Sequence, residues 1–258
     1  MIMRHSGQKG AEMEQFSRTE RLLGAEGVEQ LGRSRVAVFG IGGVGSYAAE
    51  ALVRSGIGAI DLIDSDEVVL SNLNRQLFAL HSTLGMKKVD AAELRFMDIN
   101  PACVITKWPL FYLPENADEI DLSVYDYVLD CIDTVAAKLM LAERCHLLGV
   151  PLISAMGAGN KLDPTQFEVS DISRTSVDPL ARVMRQQLRK RGIEHLKVVY
   201  SREQPVSPAT EVVPESSESN GPRKRAPGSI AFVPSAAGLA MAGEVIRDLC
   251  HMRLKKSV

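Results

Sequence analysis

Only four cysteines occur in the 258 residues, Cys103, Cys131, Cys145 and Cys250, separated by 28, 14 and 105 positions. None belongs to a CxxC pair, which argues against a zinc ribbon, a redox dithiol or a disulfide scaffold. No zinc is expected, and the thiols read as reduced, cytosolic and mostly buried. Charge of one sign is also missing: 30 Lys and Arg face 32 Asp and Glu, a net of −2, so the chain as a whole is not a polyelectrolyte that coats nucleic acid. Long apolar runs are absent. Met1 to Gln15 has no apolar h-region and does not read as a secretory signal. The most apolar stretch, Ile230–Ile246, contains Pro234 and Glu244 and falls short of the ~20 apolar residues of a membrane span. It reads as a strand over Gly228–Val233 followed by a buried helix, with no membrane partner and a cytoplasmic location. What is present is the mixture of a soluble globular protein, 45% hydrophobic and 24% charged, in a chain long enough for one sizeable core.

The first half alternates apolar runs with helical spacing. Val36–Gly40 is an apolar run ending in glycine, and Val44, Tyr47, Ala48, Ala51 and Leu52 recur at helical spacing before Ser55-Gly56 stops them. Ile60–Asp64, Val104–Lys107, Tyr125–Cys131 and Leu152–Ser154 read as further strands, with helices over Leu84–Met97 and Val135–Leu148. That rhythm implies right-handed crossovers and an α/β, doubly wound, mostly parallel Rossmann-like sheet. After Gly157 it breaks. Gln166–Ile172 and Lys197–Ser201 read as a β extension around a helix that Asp178-Pro179 caps and Gly192 ends. Residues 203–228, rich in Pro, Ser and Glu, read as a mobile loop, either a flap over a site or a variable surface insertion. The expected organisation is a flexible N-terminus over 1–15 and a single domain over 16–258. Within it, 16–160 forms a nucleotide-binding half and 161–258 a substrate and dimer half.

Chemistry concentrates at the first turn. Gly40, Gly42, Gly43 and Gly45 form a G-x-G-x-x-G turn between the first strand and the first helix. There Gly40 permits the tight turn, Gly42 lets backbone N–H groups approach a phosphate, and Gly45 lets helix and strand pack closely. Asp64 ends the second strand, 24 residues after Gly40, where it can accept ribose hydroxyls or serve as a cap or surface carboxylate. This much would also suit an NAD-dependent dehydrogenase. The next segment argues against that: after Asp66, which joins Asp64 at the nucleotide, Asn72, Asn74, Arg75 and Lys88 supply cations and amides that a triphosphate needs and a single pyrophosphate does not. Asp133 and Thr134 then follow another strand end, where a carboxylate can hold Mg²⁺ together with phosphate oxygens. Upstream, Arg18 and Arg21 offer arginines that could reach a phosphate.

In this order the motifs resemble the ubiquitin-activating-enzyme-like superfamily of adenylating proteins, from about Arg18 to Gly159 and more loosely over Gly228–Leu249. The resemblance implies a homodimer that binds ATP and Mg²⁺ and converts a carboxylate to an acyl-adenylate. It places Gly43 and its neighbours on phosphate and Asp64 on ribose. It sets Asn72, Asn74, Arg75 and Lys88 around the reacting phosphate, with Asp133 on magnesium and Asp130 structural. Arg18, or Arg21 in its place, matches the arginine that the family lends across the dimer interface.

Two departures matter. The sulfur-carrier activators usually hold zinc in two CxxC pairs, and many members form a thioester on a crossover cysteine. Between Cys145 and Cys250 there is no cysteine at all. The segments RTERLLG, NLNRQ, GAGNKLDPTQFEVSDISRTSVDPLARVMR and GSIAFVPSAAGLAMAGEVIRDL resemble the branch of tRNA threonylcarbamoyladenosine dehydratases. That branch implies activation of the threonyl carboxylate of a modified adenosine beside the anticodon, then ring closure by the neighbouring carbamoyl group. Intramolecular attack of this kind reaches effective molarities of roughly 10⁵–10⁸ M and needs no enzyme thiol. The alternative is adenylation of the C-terminal carboxylate of a ubiquitin-like sulfur-carrier protein. A sulfur-acceptor or redox partner protein is an open option. Charge supports tRNA independently, since residues 174–225 carry 11 Lys and Arg against 6 Asp and Glu. Arg182, Arg185 and Arg189 share one helix face, and Arg223, Lys224 and Arg225 could add a flexible clamp, unless both are ordinary solvated surface.

Overall fold

Short β-branched runs that end in glycine or aspartate make the strands, and the helices between them bury their apolar stripes on both faces of one sheet. The computed structural model describes residues 14–207 and 227–252. Residues 1–13 and 208–226, including Arg223, Lys224 and Arg225, lie outside the described residues. The elements run α1 (Ser17–Arg33), β1 (Arg35–Phe39), α2 (Gly45–Arg54), β2 (Ala59–Ile63), α3 (Lys88–Ile99), β3 (Val104–Trp108), β4 (Tyr127–Asp130), α4 (Val135–Leu148), β5 (Leu152–Ala155), β6 (Phe167–Asp171), α5 (Pro179–Arg189), β7 (Lys197–Ser201) and α6 (Phe232–Leu249). The seven strands lie in the order β3-β2-β1-β4-β5-β7-β6. All neighbours are parallel except β6, which pairs antiparallel with β7. This is the mostly parallel α/β sheet that the sequence rhythm implies.

Alternation along β1 divides the core. Val36 and Val38 join Leu52, Phe96, Met241 and Val245 on one face. Ala37 and Phe39 join Leu141, Met184 and Leu188 on the other. Strand order reverses between β1 and β4, so the crevice for a ligand opens beyond their carboxyl ends. Among the described residues, no helix is long and apolar enough to cross a membrane.

Two sequence expectations need correction. Gly228–Val233 is not a strand: α6 begins at Phe232, and Pro234 occupies its first turn, where a missing N–H costs no helical bond. Both sheet edges are already taken by β3 and β6. The small residues of this run serve a close helix crossing, since a Cβ at Gly238 would lie 2.2 Å from the Val44 carbonyl oxygen. The helix expected over Leu84–Met97 starts only at Lys88, because Gly85 adopts a left-handed φ of 79° and Leu84 is extended. Glu203, at the start of the segment read as a mobile loop, bonds back to residues 161–163. Glu203 accepts from the N–H groups of Leu162 and Asp163 at 2.9 Å each, and Lys161 Nζ donates to the Glu203 carbonyl at 2.8 Å. At the other terminus, Glu14 and Gln15 are helical, and Gln15 Nε2 donates to the Ile99 carbonyl.

Candidate functional site: a cavity at the strand-order reversal

A cavity of about 430 Å³ lies at the carboxyl ends of β1, β2 and β4, within the range typical of small-molecule sites. Its floor is the glycine turn. Gly40 has a φ of 82°, and a side chain there would strike the Cys131 carbonyl at 2.8 Å. Gly45 does not line the cavity, and its role is packing: a Cβ would sit 1.8 Å from the Gly40 carbonyl oxygen. Gly42 and Gly43 do line it, with their N–H groups near the start of α2.

Asp64 follows β2. Its two oxygens accept from the N–H groups of Ile41 and Asp66, each at 2.9 Å, which ties the carboxylate to the glycine turn. Burial pushes its carboxyl above the ordinary aspartate range, against the opposing pull of the Lys88 ammonium 3.8 Å away and the two N–H donors. Each oxygen keeps a lone pair for a hydroxyl donor. Lys88 begins α3, is buried, and gives its ammonium to Asp66 at 2.7 Å while lining the cavity. Arg75 also lines it. The arginine's NH1 group donates to the Ser71 carbonyl at 3.0 Å and to Asn74 Oδ1 at 2.9 Å, and it has no carboxylate partner among the described residues. Nε and the second amino group are left to meet an anion.

The third wall follows β4. Asp130 is fully buried, accepting from Lys138 at 3.0 Å and Ser154 at 2.6 Å, and its other oxygen takes the Ile132 N–H at 3.2 Å. Asp133, beyond that turn, is exposed on the cavity and has no cationic partner among the described residues. Thr134 caps α4 without lining the cavity, and its hydroxyl donates to Asp133 Oδ1 at 3.5 Å. Asn72 lines the wall from a buried position, and its side-chain oxygen accepts the Val69 N–H.

Thus Gly40, Gly42, Gly43, Asp64, Asp66, Asn72, Arg75, Lys88 and Asp133 border one cavity. Asn74 stands behind it, bridging Arg75 to the Ser229 carbonyl. Arg18 and Arg21 are exposed on α1 and do not line it. On α5, Arg182 and Arg189 are exposed, but the expected row of three arginines is corrected to two. Arg185 folds back, donating to the Thr175 carbonyl at 3.0 Å and to the buried Thr175 hydroxyl at 2.5 Å, a hydroxyl that itself donates to the Ile172 carbonyl at 2.8 Å. Sequence reasoning missed Gln76, Phe111, Tyr112, Ala158, Gly159, Pro227 and Ser229, which also border the cavity. Gln76, Ala158, Gly159 and Ser229 fall within segments that carry the resemblance, but nothing in those segments marks them as lining a site, whereas Phe111, Tyr112 and Pro227 lie outside every such segment.

Burial pushes the thiols of Cys131 and Cys145 up to about 12 and that of Cys103 up to about 11. Thiolate is therefore scarce at neutral pH.

A Rossmann-like sheet with a glycine turn, a carboxylate after β2 and cations at the strand-order reversal defines a nucleotide-binding protein of the adenylating kind. Residues 16–257 match the ThiF family, and the chain belongs to it. It is 47% identical over 241 residues to the tRNA threonylcarbamoyladenosine dehydratase of Bacillus subtilis (strain 168), covering 92% of this chain and 95% of that one. A crystal structure of E. coli tRNA N6-threonylcarbamoyladenosine dehydratase in complex with AMP superposes with a TM-score of 0.84 at 34% identity, covering 93% of this chain and 96% of that one. The same E. coli enzyme in complex with ATP gives a TM-score of 0.81 at 33% identity, again over 93% and 96% of the two chains.

Proposed function

We propose that the protein dehydrates threonylcarbamoyladenosine next to the anticodon of tRNA at the expense of ATP. The threonyl carboxylate attacks the α-phosphorus of ATP, pyrophosphate leaves, and an acyl-adenylate forms. The neighbouring carbamoyl group then attacks the acyl carbon and expels AMP, so the nucleoside loses one water overall. The observation that carries this reading is the single cavity that joins the glycine turn, Asp64, Arg75, Lys88 and Asp133, in a chain whose relatives over nearly its whole length bear this activity by name.

In this reading Gly42 and Gly43 offer N–H groups to phosphate, and Asp64 accepts from the ribose. Arg75 and Lys88 offset charge that develops on the reacting phosphate, where fixed donors act in a partly dry site. Asp133 supplies an exposed carboxylate with no cation partner among the described residues, which fits Mg²⁺, a hard ion satisfied by one or two carboxylates plus phosphate oxygens. Bound there, Mg²⁺ would offset negative charge on the phosphates. Thr134 steadies that carboxylate. Arg18 or Arg21 would act in the partner subunit of a homodimer, and the enzyme would work in the cytoplasm. Arg182 and Arg189, with Arg223, Lys224 and Arg225, would contact the tRNA backbone. The raised thiol pKa values favour direct closure over a thioester relay, and nothing favours adenylation of a carrier protein.

Mass spectrometry of nucleosides from modified tRNA incubated with protein, ATP and Mg²⁺ tests the reading. A product lighter by one water, absent without ATP, is expected. An unchanged nucleoside, with acyl transfer to a small carrier protein instead, overturns it.

A further inference from the structure

Asn160 sits beyond the cavity residues Ala158 and Gly159 with a φ of 57°, a left-handed conformation that asparagine adopts more readily than most residues. Three of its polar groups reach across the chain. The Asn160 N–H donates to the Gly228 carbonyl at 2.7 Å, Oδ1 accepts from the Gly228 N–H at 2.7 Å, and the carbonyl accepts from the Val206 N–H at 2.8 Å. Beside it, Gly159 packs so tightly on Pro227 that a Cβ would lie 2.6 Å from the proline Cβ. One residue past Gly228, the Ser229 carbonyl accepts from Asn74 Nδ2 at 3.0 Å, and Asn74 Oδ1 accepts from Arg75 at 2.9 Å. A continuous path therefore runs from the Asn160 side chain, through the backbone of Gly228 and Ser229, to Asn74 and the Arg75 guanidinium. Gly159, Pro227, Ser229 and Arg75 all border the cavity.

We infer that Asn160 is a positioning residue for adenylate formation. It fixes the Pro227–Ser229 wall and, through Ser229 and Asn74, aims the free edge of the Arg75 guanidinium at the reacting phosphate. NH1 is spent on Ser71 and Asn74, so those two acceptors decide where the remaining donors point. Loss of the Asn160 acceptor would let the wall drift, and a drift of about 1 Å at a reacting group can cost on the order of 10²-fold in rate. The inference rests on the assignment of the cavity to ATP.

The test measures ATP affinity by calorimetry and ATP–pyrophosphate exchange, with modified tRNA present, on the full-length protein. Asn160→Gly permits the left-handed backbone and both main-chain bonds and removes the side chain, whose Oδ1 holds the Gly228 N–H. Its exchange kcat is expected to fall about tenfold while the Kd for ATP stays within about threefold. Asn160→Asp keeps the acceptor and should restore kcat, with a higher KM for ATP from the added negative charge. Gly159→Ala, which displaces Pro227 by a different route, should reproduce the kcat loss. In an Asn74→Ala background Asn160→Gly should cost little more, because the path is already cut. Wild-type kcat in Asn160→Gly, or losses that multiply fully in the double variant, would overturn the inference while leaving ATP binding by the wild type intact. Failure of the wild type itself to bind ATP would remove the cavity assignment and the inference together.

Discussion

A methyl group added at Gly45 would stand 1.8 Å from the Gly40 carbonyl oxygen, whereas one added at Gly42 would meet nothing nearer than Gln76 Nε2 at 3.6 Å. The same turn thus holds one glycine required by the fold and one with room to spare. Gly45→Ala should lower unfolding free energy by at least about 2 kcal/mol in denaturant titration, since backbone cannot yield as a side chain does. Gly42→Ala should unfold like the wild type yet bind ATP more weakly by calorimetry, because the added methyl takes the space a phosphate would use. Asp64 adds a pH dependence. Burial raises its folded pKa, so its contribution to stability is present at low pH and is lost as pH rises through that raised value. Binding runs the other way, because the ionised form accepts ribose hydroxyls. Relative to Asp64→Asn, wild-type affinity for ATP should start to fall on acidification at a pH above the ordinary aspartate value of about 4. The cysteines give a third expectation. With Cys131 and Cys145 held at about 12, a cysteine-free variant should lose some stability yet keep ATP-dependent cyclisation.

At the scale of elements, α5 separates two kinds of arginine that share one face in the sequence. Arg182→Gln and Arg189→Gln should weaken tRNA binding, each lowering the slope of log K against log salt by up to about 0.9 per lost phosphate contact, with little change in stability. Arg185→Gln should instead destabilise by about 0.5–1.5 kcal/mol, because the Thr175 carbonyl loses its donor while the hydroxyl keeps its bond to Ile172. That distinction was not legible in the sequence, since helical spacing gives a face but not what stands opposite. The strands and the glycine turn were legible because period, glycine and terminal carboxylate all agree at β1, β2 and β4. Gly228–Val233 misled because four apolar residues fit a strand or a helix equally, and only the filled sheet edges decide. Phe111, Tyr112 and Pro227 carry no local motif, and tertiary packing alone brings them to the cavity.

For the molecule as a whole, the placement of Arg18 and Arg21 away from their own cavity makes a mixing experiment informative. An Arg18→Ala, Arg21→Ala subunit combined with an Asp133→Ala subunit should regain activity that neither has alone, at about one working site per heterodimer; arginine fingers in phosphoryl transfer supply ~10³–10⁵-fold. Inactivity of the mixture, with heterodimers confirmed by native mass spectrometry, would place those arginines outside catalysis. The order of strands across the sheet has a consequence for biosynthesis. β5 is made well before β7, its only partner on that side, and β6, although earlier in the chain, can attach only to β7. As the chain leaves the ribosome from its N-terminus, a half-made sheet ends in an open row of peptide groups along β5, a template for pairing with a neighbouring nascent chain. The face of β1 is meanwhile bare of Met241 and Val245, which arrive with the last helix. Folding is therefore completed late, and the interval before β7 emerges is when chaperone protection matters most.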